Sequence, residues 1–255
     1  GPGATNAITG IATAFMDSIP MVVISGQVQS HLIGTDAFQE TDMIGVSRPI
    51  VKHSFTVDKQ ENIAQIVKEA FYIATSGRQG PVVIDVPKDL TNPDELFDFN
   101  YPDKANIRSY NPPVKPENHQ VSRAVDAILT AERPVIYAGG GTISSNASDE
   151  LRELNELIDF PVTNTLMGLG VYPGTGNRFL GMLGMHGTYQ ANMAMHNADL
   201  IIAVGARFDD RITNTPNKFA PKAKVIHFDV DHSSVSKIIE ADIAVFGQVK
   251  DSLKA

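Results

Sequence analysis

The sequence has 255 residues, of which 42% are hydrophobic and 20% charged, a composition typical of a soluble globular protein with a sizeable core. The length fits one large domain or two ordinary ones, and we expect two. The net charge of −8 and the lack of a basic run argue against nucleic acid or an anionic membrane surface as a partner.

The longest aliphatic runs, MVVIS and LIIAV, fall far short of the ~20 residues needed to cross a bilayer. No leader precedes them, so we expect a cytoplasmic protein. The absence of Cys excludes disulfides and thiolate-bound metal, and the histidines show no metal-ligand spacing. We therefore assign no metal site to this chain.

In the first part of the chain, short β-rich runs alternate with helical stretches, which predicts a parallel sheet covered by helices. We predict a helix at about 6–17, a strand at 21–25, a helix near 61–75 and a buried strand at 82–86. Residues 90–120 are rich in Pro, Asp and Asn and show no apolar period, which indicates a linker over a surface.

In the second part the same alternation resumes. We predict a helix at 121–130, the strand PVIYA, three glycines, a helix near 149–158, the strands FPVTN, DLIIAV and KVIHFDV, and a last helix near 233–240. A Met-rich helix follows the glycines around His186, and Met at this spacing is usually core packing. The fold class is therefore α/β, with two parallel-sheet domains.

Three strand ends in the second part carry candidate ligand residues. PVIYA ends in Gly139, Gly140 and Gly141, which either let a ligand approach the backbone or form a tight turn. The four charges of RFDDR follow DLIIAV and predict a charged ligand, although a solvated salt-bridge loop stays open. Asp229 ends KVIHFDV where such folds hold ribose hydroxyls, and a helix cap by Asp231 is as good an alternative.

In the first part, Phe38 and Gln39 precede a helix start, and a surface loop is the plainer interpretation of that stretch. Arg78 precedes the strand at 82–86 and Lys88 follows it. Each of these two basic groups is equally well explained as a solvated charge.

The chain resembles the large catalytic subunits of the acetohydroxyacid synthases (acetolactate synthases), a family of thiamine-diphosphate enzymes. The resemblance covers nearly the whole chain through an ordered series of motifs, GPGATN, SGQV, GTDAFQETD, SGRQGPVVIDVPKDL, AGGG, TNTLMGLG, LGMHGT, GARFDDR and HFDVD. One such motif is weak evidence, but the ordered set is very specific.

The resemblance implies two of the family's three domains. Residues 1–90 would be the C-terminal part of the pyrimidine-binding domain, 91–118 a linker, and 119–255 a Rossmann-like central FAD-binding domain. The family's catalytic Glu would lie before GPGATN, and its Mg-binding Gly-Asp-Gly motif would lie in the third domain. The chain would then be an inactive fragment that binds FAD and holds only part of the thiamine-diphosphate site.

The activity implied is decarboxylation of pyruvate and its joining to a second 2-keto acid. Pyruvate as acceptor gives 2-acetolactate and 2-ketobutyrate gives 2-aceto-2-hydroxybutyrate, in branched-chain amino acid synthesis. A homodimer or homotetramer with a regulatory small subunit is implied as well. RFDDR is typical of the FAD-containing biosynthetic enzymes; the alternatives are a catabolic synthase, glyoxylate carboligase or pyruvate oxidase, or a stand-alone FAD or nucleotide-binding module.

The resemblance also assigns residues. Arg211 would hold the carboxylate of the second substrate, a task suited to a planar bidentate cation. Phe38 and Gln39 would face the reacting centre from the neighbouring subunit, Lys88 and Met185 would line the substrate approach, and Pro2 and Asn6 would lie by the aminopyrimidine. The residues implied to contact FAD are Arg78, Gly139, Gly140, Gly141, Thr165, Leu166, Met167, Leu183, Gly184, Met185, His186, Gly205, Ala206, Arg207, Asp209, Asp229, Val230 and, in place of the usual acidic residue, Gln248.

Overall fold

The computed structural model describes residues 1–105 and 107–255, and it divides the chain into two units, Gly1–Asn111 and Pro112–Ala255. Their common boundary falls within the predicted linker. Ile107 and Tyr110, which belong to that linker, pack against the core of the first unit. The domain boundaries predicted after residues 90 and 118 stay a prediction.

The first unit contains a parallel sheet with helices on both sides. Its elements are α1 (Pro2–Asn6), α2 (Ile8–Met16), β1 (Met21–Gln27), α3 (Met43–Ser47), β2 (His53–Thr56), α4 (Ile63–Thr75) and β3 (Pro81–Pro87). The strand order is β1-β3-β2, and both pairings are parallel. Because β3 is central and covered on both faces, its apolar residues Val82, Val83 and Ile84 are buried.

The second unit contains a larger parallel sheet. Its elements are α5 (Asn118–Thr130), β4 (Pro134–Ala138), α6 (Gly140–Ser144), α7 (Ser148–Ile158), β5 (Val162–Asn164), β6 (Phe179–Met182), α8 (Tyr189–Asn197), β7 (Leu200–Val204), α9 (Asp210–Thr213), β8 (Lys224–Asp229), β9 (Ile243–Phe246) and α10 (Val249–Lys254). Every residue of β4 and β7 is buried, as their uninterrupted apolar sequences predict.

The six strands of this sheet lie in the order β6-β5-β4-β7-β8-β9, and all pairings are parallel. Counted within the unit, this is the doubly wound order 3-2-1-4-5-6, in which the direction of winding reverses between β4 and β7. Alternate residues of these strands enter two cores: Ile136 and Ile202 face one, Tyr137 and Ala203 the other. The predicted α/β class with two parallel sheets is confirmed.

Several local predictions differ from the structure. The helix predicted at 6–17 corresponds to α2, but the short helix α1 before it was not predicted. The short strands β2, β6 and β9 were missed because four residues show no clear period. The helix predicted near 233–240 is wrong. Asp231 accepts hydrogen bonds from Ser233 and Ser234, and Ser236 adopts a left-handed φ of 57°, so this segment forms turns.

Candidate functional site

The loops that follow β4 and β7 are in direct backbone contact at the carboxyl edge of the larger sheet. Gly139 N–H donates to Val204 O and Gly141 N–H donates to Gly205 O, each at 2.9 Å. A Cβ on Gly139 would lie 2.3 Å from Gly205 O, and Gly205 has a φ of +55°. Contact between the two loops thus requires glycine at positions 139, 141 and 205. The sequence pattern at the strand ends did not predict this contact.

The loop after β5 closes over the same edge. Thr165 N–H donates to Ala138 O at 2.9 Å, and its hydroxyl accepts from Gly168 N–H at 2.9 Å, which caps the turn Leu166–Gly168. A Cβ on Gly140 would lie 3.0 Å from Met167 Cβ. Leu166 and Met167 leave much of their side chains exposed beside the glycines. An exposed apolar pair here offers a stacking surface for a planar ligand.

The motifs LGMHG and RFDDR, about twenty residues apart in the sequence, lie against each other. Met185 N–H donates to Arg211 O at 2.9 Å. Gly184 has a φ of +103°, and a Cβ there would lie 2.6 Å from Ile212 Cδ1, so only glycine allows this contact. Leu183 is buried, whereas Met185 and His186 are exposed at the edge. The backbone bond therefore sets the position of Met185 relative to Arg211.

The charges of RFDDR form two loose pairs. Arg207 Nη2 lies 3.3 Å from Asp209 Oδ2, and Arg211 Nε lies 3.9 Å from Asp210 Oδ2. Arg211 is 72% exposed, so its guanidinium keeps most of its hydrogen-bonding capacity for a ligand. The salt-bridge interpretation thus describes Arg207 better than Arg211.

Beneath these charges, Phe208 anchors the loop in the core. Its ring lies 5.6 Å from that of Tyr137, 5.9 Å from Phe219 and 5.5 Å from His227. The Tyr137 hydroxyl donates to Arg207 O at 3.2 Å. Burial, with a smaller contribution from the charge of Asp209, raises the pKa of Tyr137 far above its usual value, so this phenol stays a donor. Sequence reasoning missed this aromatic support.

Asp229 ends β8 with a largely buried carboxylate. Its Oδ1 accepts from Asp231 N–H at 2.8 Å, and its Oδ2 lies 3.6 Å from His227 Nε2. His227 is fully buried, and neither ring nitrogen has a hydrogen-bond partner among the described residues. The alternation of KVIHFDVD, which puts His227 and Asp229 on one face of the strand, is the signal that could have identified this pair.

Gln248 and Val230, both predicted to contact FAD, lie at this end of the unit. Gln248 precedes α10, and its N–H donates to Val114 O at 2.9 Å. Val230 follows β8 directly and is half-buried. The Asp231 carboxylate caps a turn rather than a helix, so the helix-cap alternative to a ligand role for Asp229 loses its basis.

In the first unit, the opening turn packs against the loop that carries Phe38 and Gln39. A Cβ on Gly1 would lie 2.1 Å from Gln39 O, so glycine is required there. Pro2 opens α1 and Asn6 closes it. Phe38 is 89% exposed, and Gln39 has a left-handed φ of 63°. The structure therefore brings together two motifs, GPGATN and GTDAFQETD, that are separated by 27 residues in the sequence.

The neighbouring Glu40 holds this loop and was missed by sequence reasoning. Its carboxylate accepts hydrogen bonds from the backbone N–H groups of Gly34 and Ala37. These hydrogen bonds hold the pKa of Glu40 below its usual value, and the bond from Gly34 has the larger effect. The loop from Gly34 to Gln39 is thus closed by a charged acceptor.

A buried polar network lies below the loop. Asp85 accepts from Ser25 Oγ at 2.6 Å and from Gln27 Nε2 at 2.9 Å, and Gln27 Nε2 also donates to Thr41 O at 2.8 Å. These contacts connect β1 and β3 to the residues after Gln39. They explain the polar end of the motif SGQV.

Arg78 and Lys88 stand on either side of β3, as predicted. Arg78 Nε donates to Ser18 Oγ at 2.9 Å, and its guanidinium lies 5.7 Å from the centre of the Phe15 ring. Lys88 starts the short turn after β3, and the adjacent Asp89 accepts from Ser30 N–H at 2.8 Å. Arg78 is therefore partly engaged within the first unit. Its role toward FAD stays a prediction.

No three of the His, Cys, Asp and Glu side chains of the described residues lie close enough together to hold a metal ion. None of their helices has the length and hydropathy of a membrane span.

Comparison with known proteins identifies the family. The model of the thiamine pyrophosphate enzyme central domain matches residues 121–255, and that of the thiamine pyrophosphate enzyme N-terminal TPP binding domain matches residues 1–46. The chain belongs to the thiamine pyrophosphate enzyme family. The site residues gathered on the larger sheet thus lie within a thiamine pyrophosphate enzyme central domain.

Curated relatives within this family are similar along the whole chain. The large subunit of acetolactate synthase from Buchnera aphidicola (from Acyrthosiphon pisum) is 61% identical over 254 residues, and that from Haemophilus influenzae is 54% identical. The isozyme 3 large subunit from Escherichia coli K12 is also 54% identical. Each alignment covers 100% of this chain and 44% of the relative. The chain therefore spans less than half the length of the relatives it matches.

Proposed function

We propose that this chain is part of the catalytic large subunit of an acetolactate synthase. The observation that supports this most strongly is the identity of 54–61% along the whole chain to relatives of that name. The complete protein decarboxylates pyruvate and joins the product to a second 2-keto acid, pyruvate or 2-ketobutyrate. Thiamine diphosphate supplies the electron sink for this chemistry, and its Mg ligands belong to a further domain.

We also propose that the second unit is a Rossmann-like FAD-binding domain. The winding of its sheet reverses between β4 and β7, and dinucleotides bind outside the carboxyl ends of the strands at such a reversal. Gly139, Gly140 and Gly205 lie at that point. Asp229 lies at the end of β8, the neighbour of β7. Its Oδ2 makes no close hydrogen bond among the described residues, so this oxygen could accept one from a ribose hydroxyl.

At the same edge of the larger sheet, Arg211 is the group that would bind the carboxylate of the second keto acid. Its guanidinium is largely exposed, and its nearest described carboxylate, that of Asp210, lies at 3.9 Å. Met185, which is tied to it through the backbone bond, would line the approach of that substrate. In the first unit, Phe38 and Gln39 project from a loop that Glu40 closes, and they would act from the neighbouring subunit in a homodimer or homotetramer. A regulatory small subunit would complete the assembly.

Product analysis tests the activity. The complete protein that contains this chain is supplied with thiamine diphosphate, Mg and FAD and given pyruvate with 2-ketobutyrate. The expected products are 2-acetolactate and 2-aceto-2-hydroxybutyrate. Formation of acetate or tartronate semialdehyde instead would contradict the proposal and point to a different thiamine-diphosphate reaction.

The role of Arg211 is tested in the same protein. Arg211→Ala removes a charge-assisted contact and should lower kcat/KM for the second keto acid roughly tenfold or more and change the product ratio. Arg211→Lys should restore only part of this, because an ammonium cannot make the bidentate contact. Arg152, which pairs with Asp149 on α7, is the matched control. Equal product ratios in all variants would remove Arg211 from the substrate site.

The FAD proposal has a separate test on the chain itself. Quenching of flavin fluorescence on addition of the chain measures binding without turnover. Asp229→Asn should weaken FAD binding, whereas Asp251→Asn on α10 should not. FAD binding that is unchanged by Asp229→Asn would mean that the ribose lies elsewhere.

A further inference from the structure

A cavity of about 250 Å³ lies in the second unit, between α8 and the segment that connects α9 to β8. Apolar side chains that are buried or half-buried form its deeper part: Leu183, Met195, Ile212, Phe219 and Ala220. Six polar residues also line it. Asn192 is half-buried and Thr213 buried, and the four exposed ones form its mouth: His196, Asn214, Thr215 and Lys218. The cavity is therefore apolar inside and polar at the opening, as small-molecule sites are.

The charge at the mouth has one sign. Among the described residues, Lys218 is the one cationic residue in its lining, and no Asp or Glu lines the cavity. This stands out in a chain whose net charge is −8. An acid-free opening beside a lysine favours an anionic ligand over a neutral or cationic one.

The polar residues of the cavity differ in how many of their hydrogen-bonding groups are unused. Asn192 uses its amide on Gly184 N–H, Gly184 O and Thr188 O, and Thr213 donates to Asp209 O. By contrast, within the described part of the chain the four remaining side chains make no hydrogen bond. These are His196, Asn214, Thr215 and Lys218. They leave an ammonium, a hydroxyl, an amide and an imidazole for a ligand.

The segment that carries Lys218 is held in an unusual backbone conformation. Asn214 and Ala220, at its two ends, have left-handed φ values of 51° and 39°. Between them, Lys218 N–H donates to Thr215 O at 2.9 Å and Phe219 N–H donates to Pro216 O at 3.1 Å. A left-handed φ is uncommon for non-glycine residues, and Asn adopts it more readily than Ala. Here the two left-handed residues place Lys218 at the mouth and Phe219 in the wall.

We propose that this cavity binds a small monocarboxylate with a compact apolar body. Its carboxylate would lie at the mouth, on Lys218 with Asn214 and Thr215, and its body against Leu183, Ile212 and Phe219. A volume of 250 Å³ equals that of about eight liquid waters at ~30 Å³ each, enough for a short apolar chain and too little for a nucleotide. The site shares Leu183 with the residues implied to contact FAD, and its other lining residues are additional to the FAD and keto-acid sites proposed above.

The ligand would also touch the neighbours of the proposed substrate residue. Ile212 follows Arg211, and Leu183 precedes Gly184, whose contact with Ile212 joins the two loops. An occupied cavity would thus fix the backbone on which Met185 and Arg211 are held.

The test is a titration of the full chain with 3-methylbutanoate, followed by NMR of labelled Met and Ile methyl groups. The expected result is a saturable shift at the methyls of Met195 and Ile212, with none at Ile136, which lies in the core on the opposite face of the sheet. The neutral 3-methylbutanamide, which has the same shape, should bind more weakly. Equal binding of acid and amide, no saturable shift, or shifts confined to other methyls would overturn the proposal.

Matched variants then test the cation. Lys218→Met removes the charge and keeps the chain length, and it should weaken 3-methylbutanoate binding by about three- to fivefold, as expected for an exposed ion pair. Lys222→Met changes an exposed lysine that does not line the cavity and should leave binding unchanged. Both substitutions are on the surface, so both proteins should fold. The same dissociation constant in both variants would exclude a carboxylate site at Lys218.

Discussion

Phe208→Ala tests whether the aromatic cluster supports the charged loop at the edge of the larger sheet. Phe208 is 4% exposed and lies against the rings of Tyr137, Phe219 and His227. A buried Phe removes 150–250 Å² from water, which at about 25 cal/mol per Å² corresponds to about 4–6 kcal/mol. Alanine retains part of this, so we expect a loss of about 3–5 kcal/mol in the free energy of unfolding of the second unit.

Hydrogen exchange read by mass spectrometry is the assay, because it resolves the two units of one chain. A loss of about 3 kcal/mol should speed the slowest amides of β7 and β8 by roughly a hundredfold. Amides of β1 and β3, in the first unit, serve as the internal reference. Leu157→Ala, at an exposed position of α7, should change the free energy of unfolding measured by exchange by less than about 0.5 kcal/mol. If Phe208→Ala exchanged like Leu157→Ala, the anchoring role of Phe208 would be refuted.

Three further predictions follow from single contacts. Gly205→Ala should destabilise the second unit by about 2–5 kcal/mol, because its Cβ would meet Gly141 in a left-handed backbone, whereas Gly174→Ala has open space; thermal unfolding compares them. Tyr110→Phe removes a hydroxyl that binds Lys52 Nζ and Ser76 O and should cost the first unit about 1 kcal/mol in urea unfolding, unlike Tyr101→Phe. Glu150 ties α7 to Lys250 and Lys254: burial raises its pKa, but its own amide and the two lysines lower it by more, so the pKa lies below its usual value. Its contribution is present above the pKa of the unfolded state and lost as the pH falls through the lowered pKa, so Glu150→Gln should lower the urea midpoint at neutral pH and match the parent in acid; a constant difference would contradict this.

The glycine motifs show how far the sequence predicts the candidate site. The apolar runs PVIYA and LIIAV predict buried parallel strands, and the residues after them are then expected at one edge of a sheet. The sequence does not predict that Gly141 and Gly205 bond each other, because that contact depends on which strands are neighbours. The same limit explains why the contact between Gly1 and Gln39 is visible only in the structure.

Supporting residues are harder to predict than exposed ones. Arg211 stands out in the sequence because charges at a strand end are conspicuous, whereas Phe208 and Tyr137 look like ordinary core residues until their partners are known. The helix predicted near 233–240 fails for a related reason. Its apolar spacing is helical, but the Asp231 carboxylate binds the local serines and a left-handed Ser236 interrupts the chain.

The sequence by itself determined the α/β class, the buried strands and the ordered motifs that resemble one enzyme family, since each of these follows from local pattern and residue identity. Only the tertiary structure decided the strand order with its reversal between β4 and β7, the bond from Met185 to Arg211, and the acid-free cavity at Lys218. These features join residues that are distant in the chain. Such pairings depend on the packing of the whole unit, which no short stretch of sequence specifies.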